Sequence, residues 1–377
     1  GVFGLRSRPY TLGVSRDPAQ ADNRQTRTAS SAGLRLVIGI ALLIALPIIM
    51  TGWGRYQWLN APLDMEPAEL TYEIPSGSSF ARVSNELAEL GIIEHPRLFS
   101  WYARLSGQAG SIRAGEYLLR DGTTPLEILE QFVDGDVQLY SFTIVEGWTF
   151  EELMAALSTS EILKATLTYE DWPALLEQLG VEEDESPEGW FLPETYRFPR
   201  GTTDAELLTQ AHELLRDVLD AEWARRRDGL PLKSPYEALT LASIVEKETA
   251  LAAERPRIAG VFVRRLQQRM RLQTDPTVIY GVIYGLGEDF DGNLTRRHLR
   301  ADNPYNTYTR HGLPPGPIAL PGQAAIRAAL QPQDGTELYF VATGLGDGSH
   351  KFSTTREEHE AAVAEYLARE RAARDGE

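Results

Sequence analysis

Two glutamates at the end of an apolar run, Glu246 and Glu248 in Ala242-Ser243-Ile244-Val245-Glu246-Lys247-Glu248-Thr249, are the residues of this chain best suited to acid–base chemistry. Ser234-Pro235-Tyr236-Glu237 reads as a capping box with proline at the first helical position, so a helix is expected through ALTLASIVEKETALAAE. On that helix Leu241, Ile244, Val245 and Glu248 share one face by i, i+3, i+4 and i+7 spacing, whereas Glu246 falls behind Leu239, Ala242 and Ser243. A carboxyl at the edge of an apolar stripe is desolvated, which raises its pKa towards the range a general acid needs near neutral pH. Spacing alone leaves a second account open, in which both glutamates are ordinary solvated helix charges.

Polar segments follow that could line a site. Arg271-Leu272-Gln273-Thr274-Asp275-Pro276-Thr277 ends at an X-Pro turn, and Asn303-Pro304-Tyr305-Asn306-Thr307-Tyr308 and Gly312-Leu313-Pro314-Pro315-Gly316-Pro317 are proline-set loops rich in amides and hydroxyls. Such groups without a cationic cluster suit a neutral polyhydroxylated ligand better than a phosphate. Gly189-Trp190-Phe191-Leu192-Pro193-Glu194-Thr195-Tyr196 makes either a core plug or a wall for stacking sugars. The chain has no cysteine, which removes disulfides, thiolate metal sites and cysteine nucleophiles together. None of the six histidines has HExxH-like spacing, no G-x-S-x-G or Walker A sequence occurs, and neither a metal nor an organic cofactor is expected.

Length and charge set the frame. The 377 residues suggest two or three folded units, and 42% hydrophobic content is enough to build cores. A net charge of -17 argues against nucleic-acid binding, which needs a basic surface. The charge is uneven, because residues 1–35 hold six Arg against two Asp. Leu36 to Trp53 then runs eighteen residues without a charge, close to the ~20 that cross a bilayer as a helix, and Trp53, Tyr56 and Trp58 read as an interfacial belt. A cleavable signal peptide would have a shorter core and a small-residue cleavage site. A single membrane anchor over 34–54 is therefore expected, with the Arg-rich tail 1–33 cytoplasmic and the remainder outside. The chain begins at Gly1 rather than Met, which leaves its start open.

Beyond the anchor, residues 69–74 alternate like a strand, helical patterns follow from Gly77 and from His95-Pro96, and 114–119 returns as a strand. Glycine followed by hydroxyl residues recurs before helical patterns at Gly77, Gly122, Gly147 and Gly201, which capping explains and internal duplication could also produce. Residues 141–146 lead as a strand into a larger unit, 182–187 form an acidic loop, and strands are expected at 338–342 and from His350. The fold class is α+β: a small βααβ module over 66–140, then a larger mixed domain over 141–370.

The run from Ala242 to Thr249, with Glu254-Arg255 and Met270-Arg271-Leu272-Gln273-Thr274-Asp275-Pro276-Thr277-Val278-Ile279-Tyr280-Gly281, closely resembles the YceG/MltG family of membrane-anchored endolytic murein transglycosylases. Further segments match in order: Glu188 to Tyr196, Asn306-Thr307-Tyr308, Gly312 to Ile318, Pro321-Gly322 and His350-Lys351-Phe352-Ser353. The resemblance covers about residues 66–370 and leaves the Arg-rich tail unassigned. It implies a LysM-like glycan-binding subdomain at the βααβ unit. It also implies cleavage of the β-1,4 bond between N-acetylmuramic acid and N-acetylglucosamine within peptidoglycan strands, leaving 1,6-anhydro ends and terminating strand elongation. Ordinary glycosidases need two carboxylates, but a lytic transglycosylase takes its nucleophile from the substrate and can work with one. Family match and helix face together assign that acid/base to Glu248, with Glu246 in reserve. Gln273, Asp275, Asn306, Tyr308, His350 and Phe352 are expected to line the cleft. Partners implied are glycan strands and membrane-bound cell-wall synthases. Two other readings stay open: a non-catalytic peptidoglycan-binding scaffold, and a muramidase-type hydrolase in which Asp275 would stand across the cleft.

Overall fold

The uncharged run forms most of α1 (Ser31–Leu59), a helix whose apolar side chains stand away from the rest of the protein. The computed structural model describes residues 31–181 and 186–375; residues 1–30 of the Arg-rich tail and 182–185 of the acidic stretch lie outside them. From Arg35 to Leu59, 25 residues of α1 are long and apolar enough to cross a membrane. Pro47 sits inside the helix without ending it, and the Thr51 hydroxyl donates to the Pro47 carbonyl at 2.8 Å. The last turn meets other elements, where Leu59 is buried and Trp58 packs beside it.

Residues beyond α1 build three successive cores. The first holds β1 (Glu69–Ile74), α2 (Phe80–Glu89), α3 (Pro96–Leu105), β2 (Gly115–Arg120) and α4 (Pro125–Asp134). β1 and β2 pair antiparallel with Tyr72 opposite Tyr117, in the strand–helix–helix–strand order that periodicity predicts. One face of the ribbon is covered by Phe80, Leu87, Phe99 and Phe132, all fully buried or nearly so. The second core gathers β3 (Leu139–Thr143), α5 (Phe150–Ser158), α6 (Trp172–Leu179), β4 (Thr195–Pro199) and the start of α7 (Asp204–Ala224), with β3 and β4 antiparallel. The third holds the end of α7 with α8 (Pro235–Glu248), α9 (Arg255–Gln267), α10 (Asp275–Tyr280) and, after the short α11 (Arg296–Arg300), α12 (Gln323–Leu330). A hairpin of β5 (Tyr339–Ala342) and β6 (His350–Ser353) and a terminal α13 (Arg356–Asp375) complete the mixed α+β fold.

The recurrent glycine and hydroxyl pairs are helix caps. Ser79, Thr124, Thr149 and Thr203 each accept a hydrogen bond from the amide three residues on, and the three threonines form reciprocal capping boxes with Glu127, Glu152 and Glu206. The glycine two positions earlier has φ between 78° and 90° each time, a turn that other residues enter only with strain. The aromatic run after Glu188 is core: Phe191, Leu192 and Tyr196 are buried, and Trp190 stacks on Tyr236 at 5.4 Å between ring centres.

Two boundaries differ from expectation. The strand expected over 141–146 runs instead over Leu139–Thr143 as β3. The pattern predicts a helix to residue 254, but α8 stops at Glu248 and Thr249 is extended, with φ -148° and ψ 135°. Thr249 is β-branched, and its hydroxyl accepts from the Leu251 amide at 3.0 Å, a local bond that competes with continuing the helix.

Candidate active site

α8 is stapled at its start and enclosed through its middle. The Ser234 hydroxyl accepts from the Glu237 amide, while the Glu237 carboxylate accepts from the Lys233 amide at 2.7 Å. Residues 238–246 are all buried, so this helix is wrapped on every side rather than striped along one face. Glu246 is consequently taken out of water and Glu248 keeps a partial contact with it, and what separates them further is their partners.

Glu246 is bound into a charge network. Its Oε1 accepts from the buried Arg255 guanidinium at 2.7 Å, and Oε2 accepts from the Gly322 amide at 3.0 Å. Arg255 also donates to Glu146 at 3.0 Å. Burial pushes the Glu246 carboxyl up, against the Gly322 hydrogen bond and the Arg255 charge. The network ties α8 to α9 and to the turn that opens α12. Gly322 permits that approach, since a Cβ there would stand 2.0 Å from Glu146 Oε1.

Glu248 stands at the C-terminal end of α8, keeps partial contact with solvent and makes no ion pair among the described residues. Burial, and then the negative charge of Asp275, push its carboxyl up to about 7; the Thr274 hydroxyl and the Arg265 guanidinium oppose the rise. The negative end of the helix dipole acts in the same direction as burial. The carboxyl thus exchanges its proton at neutral pH, as a group that must both give and take a proton requires.

Two loops bring Glu248 its neighbours. The first is held from below by Arg265, which is 7% exposed and donates to the carbonyls of Leu272 and Leu338, each at 2.6 Å. Above that carbonyl, Gln273 takes φ 52°, a left-handed conformation that costs a residue with a Cβ on the order of 1 kcal/mol or more. Hydrogen bonds to Thr307 hold it there: the Gln273 amide donates to the Thr307 carbonyl and the Thr274 amide to the Thr307 hydroxyl. Asp275 then opens α10. In the second loop the Asn303 side chain accepts from the Tyr305 amide, and the Asn306 side chain accepts from the Tyr308 amide, both at 2.9 Å. The Tyr308 hydroxyl ends 2.6 Å from Asp275, donating to Oδ1. Burial, together with this bond to Asp275, raises the Tyr308 hydroxyl pKa, so it stays a donor.

The expected residues therefore divide. Glu248, Asp275 and Tyr308 form one constellation, with Gln273 exposed at its edge. Asn306 is fully buried and spends its amide on the carbonyls of His298, Leu299 and Ala301, so its part is to shape the loop that presents Tyr308. His350 donates its backbone amide to Glu254 at 3.0 Å and sets Nδ1 2.7 Å from the same carboxylate, tying β6 to the start of α9. Phe352 packs against the third core under the Arg257 guanidinium, 4.1 Å from its ring centre. Arg255, Arg265 and Glu146 are missing from the residues expected, although one signal was present. Arg255, Ile258, Phe262 and Arg265 fall on one face of α9, and an arginine on an apolar stripe marks a buried charge with a task.

Among the described residues, no group of three or more His, Cys, Asp and Glu is arranged to hold a metal ion. The YceG-like family matches residues 72–365, more than three quarters of the chain. The chain belongs to the YceG-like family. A relative in Bacillus subtilis (strain 168), named endolytic murein transglycosylase, is 30% identical over 326 residues, which cover 80% of this chain and 88% of that protein. The endolytic murein transglycosylase of Streptococcus pneumoniae (strain D39) is 28% identical over 368 residues, 87% of this chain and 65% of that longer protein. The 2.6 Å crystal structure of a YceG-like protein from Listeria monocytogenes has 31% identity, covers 78% of this chain and 98% of its own, and superposes with a TM-score of 0.47. Glu246, Glu248, Asp275 and Tyr308 all lie within the span matched by the YceG-like family.

The hydroxyl of Tyr308 offers a direct test of the constellation. Tyr308→Phe removes the donor to Asp275, leaving that carboxylate with more of its negative charge directed at Glu248. Cleavage of glycan strands is expected to slow by about 10–100-fold, the worth of one charge-assisted hydrogen bond. The alkaline limb of the pH–rate profile moves upward, because a less compensated Asp275 raises Glu248 further. An unchanged profile would mean that Tyr308 does not act through Asp275.

Proposed function

We propose that this chain is an endolytic murein transglycosylase, a peptidoglycan lytic transglycosylase that cuts MurNAc-β-1,4-GlcNAc bonds within glycan strands and leaves 1,6-anhydro ends. The observation that carries the reading is the Glu248 carboxyl, held near pKa 7 at a helix end beside Asp275 and without an ion-pair partner among the described residues, in a chain of the YceG-like family. In its acid form Glu248 protonates the departing glycosidic oxygen. As a carboxylate it then takes the proton from the 6-hydroxyl of the muramyl residue, whose oxygen attacks C1 and closes the anhydro ring. Water need not enter the reaction, and the proton count balances across the two steps. Asp275, with Tyr308 bound to it, lies where its negative charge would favour the positive charge developing on the sugar ring. Gln273 would meet substrate at the edge, while Asn306, His350 and Phe352 support the loops.

Around this centre, 141–370 acts as the catalytic domain and 66–140 as a LysM-like glycan-binding subdomain. The segment 34–54 anchors the chain once in the cytoplasmic membrane, with 1–33 inside and the catalytic part outside. Cutting nascent strands there would end their elongation and place the enzyme beside membrane-bound cell-wall synthases.

The test is mass spectrometry of muropeptides released from purified peptidoglycan by the full chain in detergent. Anhydro-ended fragments from the interior of strands are expected. Reducing ends instead would make the enzyme a hydrolase and put Asp275 in the second carboxylate's role. Binding without cleavage would favour the scaffold reading.

A further inference from the structure

Where α1 leaves its apolar run, the structure forms a cavity of about 820 Å³ lined by Arg55, Glu94, His95, Pro96, Arg97 and Trp101, with Leu98 beside them. Arg55 lies two residues beyond Trp53, so a membrane-spanning α1 would hold it at the level of the lipid phosphates. Arg97 comes from the first turn of α3, brought alongside because Trp58 packs on His95 with ring centres 5.1 Å apart. Neither arginine has an ion pair or hydrogen bond to any described residue. An arginine in the first turn also opposes the helix dipole, and nothing acidic in that turn offsets it.

A second observation concerns the outer face of α3. Leu98, Trp101 and Leu105 follow one another at i, i+3 and i+7, with Trp101 55% and Leu105 67% exposed. The opposite face buries Phe99 and Ala103 in the module core. α3 carries Arg97 and Arg104 and no acidic residue, although residues 60–140 as a whole hold thirteen Asp and Glu against five Arg. An apolar stripe flanked by arginines, beside the end of a membrane-spanning helix, is the pattern of a helix lying in a lipid interface. An acidic module would otherwise be repelled from an anionic bilayer.

The geometry points to a lipid site: α3 lies on the membrane surface, and the cavity between Arg55 and Arg97 takes the phosphate of an anionic glycerophospholipid. Glu94 is the one acidic group in the lining and sets the limit on how much negative charge the site accepts. The inference rests on α1 crossing the membrane, and not on the reaction catalysed.

The full chain, reconstituted in phosphatidylcholine vesicles, is first checked for resistance to alkaline extraction; release there would remove the membrane premise itself. Native mass spectrometry of the detergent-solubilised chain then counts retained lipid. The expected result is one phosphatidylglycerol kept about ten-fold over phosphatidylcholine. Arg55→Gln with Arg97→Gln should lose most of that preference, and Glu94→Gln should strengthen it. Melting temperature and circular dichroism should be unaltered in all three, since these side chains are exposed and outside the cores. Equal retention of phosphatidylglycerol by the wild type and the double variant would overturn the site, and displacement by millimolar inorganic phosphate would overturn its assignment to a lipid.

Discussion

Glu248→Gln is expected to abolish glycan cleavage while making the folded protein more stable above neutral pH. Loss of a general acid and base in one group removes roughly 10²–10⁴-fold of rate at the least, and the amide can supply no proton to the departing oxygen. The stability gain follows from the raised pKa. The folded-state value is about 7, against an ordinary 4.5, so the folded protein holds the Glu248 proton more tightly than the unfolded chain does. Stability is therefore greatest below the unfolded value and falls as pH rises through about 7, where the carboxylate is charged in a desolvated position. The cost levels off above that at no more than about 3 kcal/mol, less whatever solvent access relieves. Glutamine carries no charge and escapes it. Melting temperatures at pH 5 and pH 8 should thus diverge between variant and wild type only at the higher pH. An equal difference at both would show that the carboxyl is not strained by ionisation, and retained cleavage would remove it from the mechanism.

Glu246 should behave differently: burial raises its pKa as well, but its carboxylate is bonded to Arg255 and to the Gly322 amide, and both would lose a partner. Its side chain is 4% exposed, that of Arg255 9%, and each is the other's main compensation for burial. Glu246→Ala leaves the guanidinium with only the more exposed Glu146 and orphans the Gly322 amide, a loss of about 3–5 kcal/mol. Glu246→Gln should cost less, since an amide oxygen can still accept from Gly322 or Arg255. Replacing Arg255 by Met in the Glu246→Ala background should recover part of the loss by removing the stranded charge. Urea unfolding reads these differences, and cleavage per folded molecule should stay near wild type in Glu246→Gln. A stable but inactive Glu246→Gln would transfer the acid's role from Glu248 to Glu246.

The contrast between these two glutamates shows where local pattern stops. Helical spacing placed Glu248 on the Leu241, Ile244 and Val245 face and Glu246 on another, as α8 has them. It did not foresee that both faces are buried, because periodicity cannot tell a helix wrapped on all sides from one lying on a core. Nor did it foresee the helix ending at Glu248, since Thr249 is compatible with a helix until its hydroxyl finds the Leu251 amide. Asn306 was legible as a loop amide but not as a buried one; the same side chain could have faced a sugar had the carbonyls of 298–301 not closed around it.

Residue order alone settles what depends on neighbours in the chain. The capped helix starts at Ser79, Thr124, Thr149 and Thr203, the uncharged run of α1, the two strands flanking two helices and the kinship with YceG-like proteins all rest on residues within a few positions of one another or on ordered motifs. Only folding sets which of the two glutamates is ion-paired and which is not, among the described residues. That choice depends on Arg255 reaching Glu246 from the next helix, and on Asp275 and Tyr308 reaching Glu248 from loops 27 and 60 residues away. Proton affinity is set by burial and by charges a few ångströms off, and those distances exist only once the chain has folded.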